Sequence, residues 1–275
     1  MRLKTRVQRV SWGFSHPRWG DRPPACEPTE GPEGESVVRR VVHVLRTAAA
    51  LAVIPLGLLP GLGVWLATRD RRRAIDRTIE AWGDWGTRAA GITLEVTGAE
   101  HLRRTRPAVF LLNHQSGVDP IIACALLRGG FTAVAKREIR RNPVLGPAFA
   151  LAGVAFVDRG GGARAIADLE PALEALRGGL SLAMAPEGTR SRSSAVGPFK
   201  QGAFRLAMAA GVPLVPIVIH DARSVLPRGG RLMRAGRVRV DVLPPVPTAG
   251  WTRDRLDGEI AAVRRLYLER LDSTP

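Results

Sequence analysis

The chain has 275 residues, 45% apolar and 24% charged. That is enough for a sizeable core, and it excludes both an intrinsically disordered protein and a multi-span membrane protein. Its 41 basic and 25 acidic residues leave a net charge of +16 and point to a polyanionic partner, either nucleic acid or an anionic membrane surface. Two widely separated cysteines, Cys26 and Cys124, offer neither a disulfide framework nor metal-ligand spacing and fit a reducing compartment.

In chain order, residues 1–36 hold Pro17, Pro23, Pro24, Pro28 and Pro32 among glycines and mixed charges. This is the composition of a disordered tail, and it lacks the apolar core of a secretory signal. From Thr47 to Thr68 no residue is charged. A straight helix of that length would reach about 33 Å, enough for a hydrocarbon core of about 30 Å. Pro55 and Pro60, with Gly57, Gly61 and Gly63, predict a break near its middle, and arginines flank it on both sides. The segment therefore reads as one that dips into a bilayer and returns, in preference to one that spans it. Residues 69–92 place Ile75, Ile79, Trp82 and Ala89 on one helical face, with arginines and acids on the other. That pattern suits a helix packed on a core as well as one lying at a membrane interface, with Trp82 and Trp85 at headgroup depth.

From about residue 91 the pattern becomes α/β. Apolar or β-branched runs occur at 93–97, 108–112, 132–135, 154–157, 181–185, 214–219 and 237–242, with helical stretches expected at 119–128, 137–152, 162–177, 200–210 and 252–271. The alternation predicts a mixed, mainly parallel sheet of about seven strands flanked by helices, preceded by an N-terminal membrane-associated helical motif. The chain thus divides into a tail (1–36), the membrane-associated motif (37–90) and an α/β domain (91–275). Basic residues are spread along the chain except in the apolar gap, no nucleic-acid module is recognisable, and aromatics are 5%, too few for stacking platforms. An anionic bilayer is therefore favoured over nucleic acid.

Four segments could carry chemistry. In the first, a strand ending at Leu112 leads into Asn113, His114, Gln115, Ser116 and Gly117, then Asp119-Pro120, which carries the N-cap and N1 signature of a helix start. On a continuous helix His114 and Asp119 would diverge, but the intervening turn lets the carboxylate fold back toward the imidazole. Such a pair suits a general base held by its acid partner, while a plain capping Asp beside a surface His is the alternative. Ser116 lacks the Gly-x-Ser-x-Gly elbow of serine hydrolases, and no further metal ligands stand at usable spacing. The second segment, Pro186-Glu187-Gly188-Thr189-Arg190, follows another strand and supplies donors suited to phosphate, although such turns are also common without chemistry. The third runs from Lys136 to Phe156-Val157-Asp158-Arg159. The fourth holds Lys200 and leads to Val215-Pro216-Ile217-Val218. With only three lysines beside 38 arginines, Lys136 and Lys200 stand out as compact charges, though chance also explains their positions.

Taken together these blocks resemble the glycerophospholipid acyltransferase superfamily, specifically bacterial 1-acylglycerol-3-phosphate acyltransferases. Asn113, His114 and Asp119 match its first block, and Phe156 to Arg159 its second. Ala185, Pro186, Glu187, Gly188, Thr189, Arg190 and Ser191 match its third, with Ala185 where the family has Phe, and Val215 to Val218 its fourth. The resemblance covers roughly residues 90–245. It implies that His114 takes the proton from the free hydroxyl of lysophosphatidate while Asp119 orients the ring, giving phosphatidate for phospholipid synthesis. It further implies that Asn113, Lys136, Arg159, Glu187, Gly188, Thr189 and Arg190 hold the acceptor. The acyl donor would be acyl-CoA or acyl-carrier protein, with no further cofactor and no metal, at the cytoplasmic side of the cell membrane. Glycerol-3-phosphate or another lysolipid is the alternative acceptor, and a non-catalytic membrane-binding protein the more distant alternative.

Overall fold

The computed structural model describes residues 37–143, 145–158, 168–191 and 195–272; the tail at 1–36 and the expected acceptor ligand Arg159 lie outside them. Seven strands form one sheet: β1 (Ile92–Thr97), β2 (Val109–Leu112), β3 (Phe131–Lys136), β4 (Ala155–Val157), β5 (Ser181–Met184), β6 (Leu214–Ile219) and β7 (Gly236–Val242). Their order is β1-β7-β6-β2-β5-β3-β4, and every neighbouring pair is parallel except β6–β7. The strand β2 lies at the centre, so its four residues are buried on both faces and form an unbroken apolar run. Because successive side chains alternate, Phe110 and Leu112 join one core layer while Val109 and Leu111 join the other.

The helices described are α1 (Val37–Leu56), α2 (Leu58–Thr68), α3 (Arg71–Ala90), α4 (His101–Arg104), α5 (Asp119–Leu127), α6 (Leu145–Leu151), α7 (Glu170–Arg177), α8 (Gly202–Ala210), α9 (Ala222–Val225) and α10 (Leu256–Asp272). The apolar segment shows a smaller break than its prolines predict. Gly57 alone separates α1 from α2, keeps φ −65° and ψ −13°, and still donates its N–H to Val53 O at 2.8 Å. Pro60 causes no further interruption because it sits in the first turn of α2, where the N–H groups need no partner within the helix. The reversal comes instead at Arg69, at φ 58°, after which the Asp70 side chain accepts from Arg73 N and starts α3.

Packing of α3 decides between the two readings of that helix. Its buried stripe includes Thr78, Ile79, Ala81, Gly83, Gly86 and Ala90, and Ile79 and Ala90 belong to the same core layer as Phe110 and Ile122. At Gly83 the backbones of α3 and α5 touch: a Cβ there would stand 2.6 Å from Ala125 N and 2.7 Å from Ala125 Cα. The Trp82 indole N–H donates to Ile54 O at 2.9 Å, fastening α1 to α3 beside Pro55. The α1–α2 pair leaves one face uncovered and rich in apolar side chains. Twelve of the fourteen large apolar side chains exposed among the described residues lie on it, among them Val41, Leu45, Leu59, Leu62 and Trp65.

One expected helix, 137–152, divides in two. Arg137–Arg141 is a 3₁₀ turn, and α6 begins only at Leu145, after Asn142 has capped Leu145 N with its side chain at 2.9 Å. Pro143 is the physical reason, since it disfavours a helical conformation at Asn142.

Candidate active site

The site lies at the C-terminal ends of β2 and β5, the edge where parallel sheets present their loops. Leaving β2, the chain turns through residues 113–118 before α5. The Asp119 carboxylate does not cap α5 forward as its sequence position suggests. Its Oδ2 reaches back and accepts from Gln115 N and Ser116 N, both at 2.9 Å, and contacts His114 Nδ1 at 2.6 Å. The five-residue spacing closes into a ring because the turn, and not a helix, separates the two residues. Asp119 is buried and the His114 side chain is a quarter exposed. A carboxylate on Nδ1 holds the proton there and leaves Nε2 with its lone pair, the tautomer a base requires.

The turn after β5 holds the backbone of His114 from the other side. Glu187 Oε1 accepts from His114 N at 2.8 Å and its Oε2 accepts from Gly197 N at 3.0 Å, while Ser191 N donates to His114 O at 2.8 Å. Burial raises the Glu187 carboxyl above its ordinary value, and the N–H groups of His114 and Gly197 partly oppose that shift. Glu187 is thus a buried brace for the histidine. Gly188 has φ 73°, a conformation that favours glycine, and the Lys200 stem lies 3.1 Å from where its Cβ would stand. Thr189 and Arg190 are exposed at the tip of this turn. A Cβ placed on Gly117 would stand 3.7 Å from Arg190 Nη1, so this guanidinium lies beside the histidine turn.

Not every expected ligand faces the opening. Asn113 is fully buried, with Nδ2 donating to Ile219 O at 2.9 Å and Oδ1 accepting from Ile219 N at 2.7 Å. It staples β2 to β6 directly behind His114. Lys136 ends β3, two strands from β2, and is half-exposed with Glu138 Oε1 at 3.8 Å from its Nζ. No group of three or more His, Cys, Asp or Glu side chains that could hold a metal occurs among the described residues.

Several supporting residues carry no local sequence signal. Tyr267 on α10 donates its buried hydroxyl to Leu111 O at 2.7 Å, and burial pushes its phenol well above the usual range, so it remains a donor. From the same helix Arg264 donates to Val196 O and Gly197 O at 2.8 and 2.9 Å, fixing the peptide whose N–H reaches Glu187. One helix thereby steadies both the strand beneath His114 and the brace beside it. Their periodicity alone marks these residues as ordinary helix positions.

Residues 93–220, the stretch containing every one of these turns, match the acyltransferase family model. Over that stretch the chain is similar to the acyltransferase family. It is 32% identical over 185 residues to the 1-acyl-sn-glycerol-3-phosphate acyltransferase of Limnanthes douglasii, a stretch of 67% of this chain and 65% of that protein. It is 39% identical over 179 residues to the human 1-acyl-sn-glycerol-3-phosphate acyltransferase alpha, covering 65% and 63% respectively. The chain thus spans a little under two thirds of the length of these curated relatives. The crystal structure of PlsC, the 1-acyl-sn-glycerophosphate acyltransferase of Thermotoga maritima, superposes with a TM-score of 0.72 over 86% of this chain and 99% of that one, at 24% identity. At that identity the likeness is one of fold. It agrees with the seven-stranded, mostly parallel sheet and its flanking helices.

Proposed function

We propose that the protein transfers an acyl group from an acyl thioester to the free hydroxyl of lysophosphatidate, with His114 as the general base. The observation that carries this reading is the 2.6 Å pairing of His114 Nδ1 with a buried Asp119, at the open end of the central strand. In the reaction His114 Nε2 takes the hydroxyl proton as the oxygen attacks the thioester carbonyl. The C–S bond breaks, the thiolate leaves and takes up the proton from the imidazolium, and an ester remains. Asp119 stabilises the imidazolium and holds its ring. No acyl-enzyme is required, because acceptor and donor meet directly. Arg190 and Thr189, exposed at the tip of their turn, present donors to the acceptor's phosphate; the same role for Arg159 and Lys136 rests on the resemblance alone.

The uncovered apolar face of α1–α2 supports a seat on the membrane, where the lysolipid acceptor and the phosphatidate product reside, and the arginine-rich surface supports attraction to an anionic leaflet. The active site then opens toward the cytoplasmic side, where acyl-CoA or acyl-carrier protein is available. The names of the relatives favour lysophosphatidate over glycerol-3-phosphate as acceptor.

The test is acyl transfer by the purified full chain in anionic vesicles. Lysophosphatidate, glycerol-3-phosphate and lysophosphatidylcholine would be offered in competition, with acyl-CoA and acyl-carrier protein in separate arms and products read by mass spectrometry. Phosphatidate as the dominant product, abolished in His114→Ala, is the expected result. Equal use of all three acceptors would overturn the substrate assignment, and an active His114→Ala would overturn the mechanism.

A further inference from the structure

The segment after α9 crosses the two turns that make up the site and fastens to each. Ser116, within the histidine turn, donates its hydroxyl to Leu226 O at 2.7 Å. Arg228 Nη1 donates to Arg190 O, at the tip of the glutamate turn, also at 2.7 Å. Between these anchors the Leu226 side chain lies over Gly117, where a Cβ would come within 3.0 Å of Leu226 Cδ2. The strap then turns through Pro227 and Gly230, joined by a 2.9 Å backbone hydrogen bond, and is tied again where Met233 N donates to Thr47 Oγ1 on α1 at 2.8 Å. One short stretch of chain thus touches three parts of the molecule: the histidine turn, the turn that carries the exposed arginine, and the apolar helix.

From this geometry we propose that Arg228 is a positioning residue for the acceptor's phosphate, acting through Arg190. This rests on the acyltransferase reading above. A guanidinium donating to the backbone carbonyl of Arg190 fixes the peptide that carries the Arg190 side chain, so the direction of that side chain is set before any ligand arrives. Without this tie the exposed turn at Thr189–Arg190 keeps its own hydrogen bonds at 187 and 191 but has no anchor at its tip. Arg228 is itself exposed and brings a second positive charge to the Arg190 end of the site. A phosphate dianion would offset the repulsion between the two guanidiniums, so the arrangement favours a phosphate-bearing acceptor over a neutral one. The acyl donor has no part in this contact, which separates the two substrates experimentally.

The test uses the full chain in anionic vesicles with lysophosphatidate and acyl-CoA, comparing wild type with Arg228→Gln and Arg228→Lys. Losing one charge-assisted hydrogen bond and its charge raises KM for lysophosphatidate about tenfold in Arg228→Gln. Meanwhile kcat and the KM for acyl-CoA stay within about twofold of wild type, the scatter allowed for an unrelated surface substitution. Arg228→Lys keeps the charge and recovers part of the loss. A wild type that makes phosphatidate alongside an Arg228→Gln variant with unchanged KM for lysophosphatidate overturns the inference. So does a variant in which KM for both substrates rises together, since that marks general loosening of the fold. A wild type that makes no phosphatidate overturns the functional reading itself and this proposal with it, so the two failures differ in which protein is silent.

Discussion

The histidine turn and the α1–α2 pair are held by opposite means. Around His114 nearly every polar group is engaged: its N–H and carbonyl go to Glu187 and Ser191, its ring to Asp119, and the neighbouring Asn113 to Ile219. Along α1–α2 most of the large apolar side chains are uncovered, and the polar fastenings to the rest of the protein include Trp82 to Ile54 and Met233 to Thr47. The first region specifies its geometry internally. The second leaves one face to be completed by its surroundings, which is the mark of a surface built for an apolar medium. Substitutions should therefore act on chemistry in one region and on location in the other.

The largest effect expected is in the first region. Replacing His114 by Ala lowers kcat by about 10²–10⁴-fold, the usual contribution of a general base, with the thermal transition little changed. A variant retaining a tenth of wild-type activity would assign the proton transfer elsewhere. In the second region Leu59→Asp puts a charge in the exposed apolar face and lowers partitioning into anionic vesicles by about tenfold or more. Vesicle co-sedimentation measures this, and unchanged partitioning would remove α2 from the membrane contact. Where the two regions meet, Gly83→Ala forces α3 off α5 and lowers stability by about 1–3 kcal/mol in chemical denaturation. Since α5 begins at Asp119, that variant also loses activity; full activity with lowered stability would uncouple the helix contact from the site.

The smallest effect is a pH dependence away from both regions. A hydrogen bond from His220 Nε2, at 3.1 Å, holds the Asp241 carboxyl below its ordinary value. A depressed carboxyl contributes stability above its unfolded pKa, about 4, and loses it as pH falls through the folded value. Asp241→Asn should therefore be less stable than wild type at neutral pH, and the two stability curves should converge below about pH 4. A gap of constant size down to pH 3 would rule out this linkage.

Much of the sheet was legible because each strand is an apolar or β-branched run bounded by turn residues, and the interior position of β2 shows in its unbroken apolar sequence. The pairing of His114 with Asp119 was legible as well, since Ser116 and Gly117 between them forbid a continuous helix. What the sequence hides depends on distant partners. Asn113 looks like a ligand beside a histidine, and only the position of β6 reveals that its amide is engaged by Ile219. Gly83 and Gly86 look like helix-weakening residues until α5 fills the space beside them. Arg228 is one arginine among 38, and composition cannot single out the one that reaches the Arg190 carbonyl. The apolar segment misled in another way: Pro60 falls in a first helical turn, which tolerates it, and only Gly57 separates the two helices.

The hydrogen bond from Tyr267 to Leu111 joins residues 156 positions apart, and it bears on how the protein is made. Synthesis at about 5–20 residues per second puts roughly 8–30 seconds between the appearance of the two partners. Throughout that interval the apolar α1–α2 pair has already left the ribosome and can engage a bilayer, while the strand carrying the histidine still lacks its last support. On the function proposed above, the nascent chain reaches a membrane before it can become a competent catalyst, and location precedes activity by the order of translation alone.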